Sequence, residues 1–122
     1  MLRKLSISVI DDDESFRPAL AEMLRSLGYC AREFASAEEF IAADGEGSSD
    51  CVITDIHMPG MSGFDLKQLL AARGSTVPLI MITARAEQGL DARAAASGAV
   101  CLLRKPFETD ALIVCLEKAA KN

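Results

Sequence analysis

Five short apolar runs, each followed by a stretch with helical periodicity, constrain this chain more than any other feature. The runs lie near 5–10, 29–34, 51–54, 77–82 and 99–103, with helical patterns near 15–27, 36–43, 63–73, 86–97 and 108–120. Strands that alternate with helices over short connections pair in parallel, and the crossover helices cover both faces of the sheet. Cys51-Val52-Ile53-Thr54 and Val77-Pro78-Leu79-Ile80-Met81-Ile82 are apolar nearly throughout, as strands buried on both faces are. In the first helical stretch Phe16, Leu20, Met23, Leu24 and Leu27 recur at helical spacing, and Gly28 supplies the stop. Pro18 falls in its first turn, where a missing N–H is tolerated. In the last, Leu112, Ile113, Leu116 and Ala119 form the apolar stripe. Glu108 and Asp110 open that helix and Lys118 and Lys121 close it, in accord with the helix dipole. The stretch 86–97 is Ala-rich, with Leu90 its one large apolar residue, which predicts a weakly anchored and mobile helix. Asp44-Gly45-Glu46-Gly47-Ser48-Ser49 reads as a flexible polar loop. The expected fold class is α/β: a doubly wound five-stranded parallel sheet with five helices, in one domain over 1–122.

A chain of 122 residues is long enough to bury roughly two-thirds of the surface its unfolded form exposes. With 50% hydrophobic and 25% charged residues its composition is globular and not that of a disordered chain. A net charge of -5 argues against nucleic acid as a partner of this domain. No stretch approaches the ~20 apolar residues of a membrane span. The apolar run after Met1-Leu2-Arg3-Lys4 is too short for a signal peptide, so no membrane partner is expected. Cys30, Cys51, Cys101 and Cys115 are far apart and lack CxxC spacing. They read as small buried hydrophobes in a reducing cytoplasm.

The run Leu5-Ser6-Ile7-Ser8-Val9-Ile10 stops against four consecutive acids, Asp11-Asp12-Asp13-Glu14. A buried strand ending there delivers carboxylates to the carboxyl edge of the sheet, where open α/β folds place their ligands. Like charges held together raise one another's pKa. A hard cation such as Mg²⁺ among the oxygens is one remedy. The acids would equally suit the start of a helix. Asp55 at the end of the third strand, Thr83 at the end of the fourth and Lys105-Pro106-Phe107 after the fifth would meet at the same edge. Each alone is an ordinary surface residue; their joint occurrence at four strand ends is not.

These pieces resemble the receiver domain of two-component response regulators over essentially the whole chain. The matching residues are Ile10-Asp11-Asp12, Thr54-Asp55, Met58-Pro59-Gly60-Met61-Ser62-Gly63, Thr83-Ala84 and Lys105-Pro106-Phe107, with wording similar to FixJ/NarL-like regulators. The resemblance implies a flavodoxin-like, CheY-like sheet of strand order 2-1-3-4-5. It implies that Asp55 is the phosphoacceptor and that Asp11, Asp12, Asp55 and the His57 backbone carbonyl hold Mg²⁺ or Mn²⁺. Thr83 and Lys105 would bind the phosphoryl oxygens, and Lys105-Pro106 would be a cis peptide. The donor would be a sensor histidine kinase or phosphotransfer protein. Output would run through partner binding or a homodimer on the face of the fourth helix, fifth strand and fifth helix. The chain would be either a free-standing receiver or the N-terminal part of a DNA-binding transcriptional regulator.

Two positions qualify this picture. The His57 side chain matches a variable family position that tunes dephosphorylation, as does Arg85, and is not expected to be catalytic. Leu102 stands where many receivers carry a Tyr or Phe that rotates when the Thr moves; leucine cannot swing a flat ring, so the switch from Thr83 would run by backbone displacement. Three rival readings compete on the residues alone. A flavodoxin-like cofactor binder needs a Ser/Thr/Gly phosphate loop after the first strand, where this chain has acids. A haloacid-dehalogenase-like hydrolase would use the spacing of Asp11 and Asp13 but leaves Asp55 and Lys105 unexplained. A pseudo-receiver that is never phosphorylated would not need the full Asp, Thr and Lys set.

Overall fold

The computed structural model describes residues 4–121; most of the Met-Leu-Arg-Lys opening (1–3) and Asn122 lie outside them. The chain order is β1 (Ser6–Ile10), α1 (Phe16–Ser26), β2 (Cys30–Phe34), α2 (Ala37–Ala42), α3 (Gly45–Ser48), β3 (Cys51–Asp55), α4 (Gly63–Ala72), β4 (Leu79–Thr83), α5 (Leu90–Ser97), β5 (Cys101–Arg104) and α6 (Thr109–Ala120). The strands form one sheet of order β2-β1-β3-β4-β5, and every pairing is parallel. That is the expected doubly wound arrangement. Among the described residues no helix is long and apolar enough to cross a membrane.

Alternation along the strands splits the core between the two faces of the sheet. Ile7, Val9, Ile53, Ile80, Ile82 and Leu103 pack with Leu20 and Leu24 of α1 and with Leu112, Cys115 and Leu116 of α6. Ile10, Val52, Leu79 and Met81 face the other way and pack with Phe40, Leu66, Leu70, Leu90 and Ala94 of α2, α4 and α5. Every residue of β3 and β4 is buried, their apolar runs together with the polar Thr54, Asp55 and Thr83 at the carboxyl ends.

Among the described residues there are six helices where five were expected. The additional one is α3, a single turn inside the segment 44–49 that reads as a flexible loop. Asp44 turns the chain with φ 52°, and the Ser48 and Ser49 hydroxyls both donate to the Gly45 carbonyl. Gly45 is buried flush against the Phe40 ring, a contact any side chain would disrupt. Arg73 ties the turn from outside through an ion pair with Glu46 at 3.0 Å. Helix-breaking composition hid this element, because tertiary contacts and not propensity hold it. The helix expected over 86–97 begins only at Leu90, after Gly89 with φ 83°. The cysteines also depart from expectation. Cys51 and Cys115 are buried, but Cys30 is exposed on the edge strand β2 and Cys101 is half-buried; all four are free thiols.

Gly63 sets how closely α4 approaches the end of β3. It is the first residue of that helix, and its N–H donates to the Ile56 carbonyl at 3.0 Å. A Cβ there would lie 2.8 Å from the Asp55 carbonyl oxygen and 3.1 Å from the Ile56 Cα. Backbone cannot yield as a side-chain tip can. Gly63→Ala is therefore expected to destabilise the fold by about 1–3 kcal/mol, read as a lower urea midpoint at unchanged slope.

Candidate functional site

Sheet register builds the site. Ile10 lies beside Thr54 in the β1–β3 pairing, and Asp55 lies beside Ile82 in the β3–β4 pairing. The ladder continues past the strand ends: Asp11 N–H donates to the Phe34 carbonyl, Ile56 N–H to Ile82 and Lys105 N–H to Thr83. Asp11, Asp55, Thr83 and Lys105 are thus all pinned by backbone at one edge. The Lys105–Pro106 bond is cis.

Asp11 is fully buried and Asp55 is 7% exposed, whereas Asp12 is exposed. One carboxylate oxygen from each of Asp11, Asp12 and Asp55 lies within 4.8 Å of the others. The Lys105 ammonium reaches between them, 2.7 Å from Asp11 Oδ2 and 3.5 Å from Asp55 Oδ2. Asp11 Oδ1 accepts the Asp13 N–H at 3.0 Å, and Arg17 donates to the Asp11 carbonyl at 2.7 Å. Burial, then the Asp11 charge, pushes the Asp55 carboxyl up to about 6, against the opposing pull of Lys105. Three hard carboxylate oxygens, two of them from buried or nearly buried residues, are a donor set that fits Mg²⁺ or Mn²⁺.

The remaining two acids of the run do something else. Asp13 Oδ1 accepts from the Ser15 and Phe16 N–H groups and the Ser15 hydroxyl, capping α1. Those donors hold its carboxyl down at about 2. Glu14 pairs with Arg17 at 2.7 Å. The helix-start reading of the acidic run therefore holds for Asp13 and Glu14, while Asp11 and Asp12 lie in the carboxylate cluster with Asp55.

Thr83 is fully buried, and its hydroxyl accepts the Arg85 N–H at 3.0 Å. His57 Nδ1 stands 3.4 Å from the same hydroxyl, while its Nε2 is 3.3 Å from Glu87. The imidazole thus faces Thr83 and the loop before α5, and its nitrogens are not among the clustered ligand atoms. Arg85 pairs with Glu87 at 3.2 Å. Leu102 is half-buried on β5 and packs toward α5.

Three contacts were not legible in the sequence. Glu87 reaches His57 only because two loops converge. Glu38 of α2 accepts the Met61 N–H at 2.9 Å and so ties down the loop after β3. Phe16, which reads as one member of an apolar stripe, also lies beneath Lys105, with the ammonium 4.2 Å from its ring centroid.

Known proteins match this chain in sequence and in fold. Residues 7–117 match the family model described as the response regulator receiver domain. The chain is 36% identical over 116 residues to the transcriptional regulatory protein FixJ of Azorhizobium caulinodans, covering 95% of this chain and 55% of that protein. It is 36% identical over 122 residues to FixJ of Bradyrhizobium diazoefficiens, covering 100% of this chain and 60% of that one. It thus spans between half and two-thirds of the length of these relatives. The crystal structure of FixJ-N superposes with a TM-score of 0.88 at 31% identity, over 99% of this chain and 97% of that one.

The electrostatics give a pH dependence whose sign is fixed. Asp55 binds its proton more tightly folded than unfolded, so its contribution favours the fold below about pH 4 and is lost as pH rises through about 6. In EDTA, the wild type should lose about 1–2 kcal/mol of stability relative to Asp55→Asn between pH 4.5 and 7. Urea midpoints of the two proteins across that range measure the difference; parallel curves would show that Asp55 titrates normally.

Proposed function

The chain belongs to the response regulator receiver domain family, and from that premise we propose that Asp55 accepts a phosphoryl group from a histidine kinase or phosphotransfer protein. The observation that carries this reading is the nearly buried Asp55 carboxylate at the end of β3, beside Asp11 and within 3.5 Å of Lys105. A carboxylate oxygen of Asp55 attacks phosphorus in line. The bond from phosphorus to the donor nitrogen breaks, and the histidine departs with that electron pair. Such transfers depend on positioning and charge neutralisation more than on covalent help.

Asp11, Asp12, Asp55 and the His57 carbonyl would hold Mg²⁺ or Mn²⁺, which when bound screens the carboxylates so that an anionic phosphoryl group can approach. Three carboxylates contribute -3, and a divalent cation with Lys105 contributes +3. Acyl phosphate formation adds about one further negative charge. The Lys105 ammonium and the Thr83 hydroxyl donate to the phosphoryl oxygens. Thr83 must then turn from His57 and the Arg85 N–H, and that motion is the trigger for a change of shape.

With Leu102 in place of an aromatic ring, the change reaches the α5–β5–α6 face by backbone displacement of the loop after β4. That face carries Val114, 50% exposed, and an Arg104–Asp91 pair, and suits a second copy or a partner protein. The chain modifies itself and does not turn over a separate substrate. We read it as a cytoplasmic receiver, its one domain over 1–122 either acting alone or forming the N-terminal part of a transcriptional regulator. The His57 ring and Arg85, beside Thr83, would set how long the acyl phosphate lasts.

Incubation with acetyl phosphate and Mg²⁺ should add one phosphoryl group to the wild type and none to Asp55→Ala by intact mass. Equal labelling of both, or of neither, would contradict the assignment. Asp12→Ala should weaken Mg²⁺ binding and phosphorylation together, by about tenfold or more, since loss even of a residue that only supports a metal ligand costs that much; unchanged affinity by titration calorimetry would remove Asp12 from the cation site.

A further inference from the structure

We propose that Phe16 is a positioning residue for Lys105, an inference that rests on the reading of Asp55 as phosphoacceptor. The Lys105 side chain is 13% exposed, and its ammonium has three neighbours arranged about it. Two are carboxylates, Asp11 at 2.7 Å and Asp55 at 3.5 Å. The third is the face of the Phe16 ring, with the centroid at 4.2 Å. The ring contributes attraction through its quadrupole and leaves little room for water around the ammonium.

The geometry of that third contact differs from the other two in a useful way. A hydrogen bond to a carboxylate oxygen is directional and holds the ammonium in one place. A ring face is broad, so the cation can slide across it. Phosphoryl transfer places a larger, more highly charged group on a carboxylate oxygen of Asp55, which becomes the bridging oxygen of the acyl phosphate, and Lys105 must shift to meet it. The Phe16 face supports the ammonium before and after the shift without adding a bond that must break.

The ring is itself held. Phe16 meets Phe107 edge-to-face, with centroids 5.9 Å apart and planes at 75°. Phe107 follows Lys105 by two residues, so the segment that carries the lysine also orients the surface beneath it. Asp13, by capping α1 through the Phe16 N–H, fixes the backbone from which the ring projects. Phe16 is not one of the clustered acids, and acts through Lys105.

The test compares wild type, Phe16→Tyr, Phe16→Leu and Phe16→Met. The first readout needs no cation: in EDTA, the Lys105 Hε protons should be shifted upfield by the ring current in wild type and Phe16→Tyr, and return to ordinary values in the two aliphatic variants. The second is the rate of phosphorylation by acetyl phosphate with Mg²⁺. It should fall roughly three- to tenfold in Phe16→Leu and Phe16→Met, and Phe16→Tyr should restore it to within about twofold. Urea midpoints confirm that each variant compared is folded, and having two aliphatic variants guards against one failing to fold. An unshifted Lys105 in the wild type, an aliphatic variant phosphorylated at the wild-type rate, or equal slowing by Tyr and Leu would overturn the proposal. If the wild type accepts no phosphoryl group at all, the reading of Asp55 falls, and the proton shifts alone decide whether Phe16 positions Lys105.

Discussion

Two carboxylates with little or no access to water, Asp11 and Asp55, share one ammonium, and much of the molecule can be understood as the means of keeping that arrangement intact. Such a group is expensive: each charge gives up hydration, and one lysine cannot neutralise two acids. The imbalance appears in Asp55, whose affinity for a proton is raised by burial and by the Asp11 charge. A site in this condition is poised to take up positive charge, whether a proton or a divalent cation. A well-satisfied ion pair would have no such appetite, and so would have no chemistry to offer.

Backbone pairing fixes where the members of this group start, and a few side chains tie down the loop beside them. The parallel ladder runs one residue beyond β1, β3 and β5, so Asp11, Asp55 and Lys105 begin from fixed positions. The loop after β3 is closed on one side by Gly63, packed against the Asp55 carbonyl, and on the other by Glu38, which accepts the Met61 N–H. The capping box of Ser62 and Asp65 anchors the same loop to α4. The loop after β4 has fewer constraints of this kind. Its links to the site run through the Thr83 hydroxyl, His57 and Glu87, which are polar contacts that can exchange partners at little cost.

The acidic run after β1 illustrates how one stretch of sequence can serve two ends. Its first two residues join Asp55 in the carboxylate cluster and its third caps α1, from which Phe16 projects beneath Lys105. The start of one helix is therefore continuous with the site on the acidic side and on the basic side alike.

The alternation of apolar runs with helical stretches was enough for the five strands, five of the helices and their parallel pairing, because most of these elements bury a face whose repeat is written in its apolar residues; the strand order came from the family resemblance. The joint placement of Asp11, Asp55, Thr83 and Lys105 was legible for the same reason: strand ends in a parallel sheet must share an edge. What the pattern could not carry were contacts between segments with no periodic signal. The α3 turn depends on Gly45 lying against Phe40, and the exposure of Cys30 on β2 having become an edge. The His57–Glu87 contact and the ring of Phe16 under Lys105 likewise join residues far apart in the chain. The sequence by itself thus determined which chemical groups meet, since burial and strand direction compel it. Only the tertiary structure decided how they are held, because single distances and angles between loops are set by packing that no local repeat encodes.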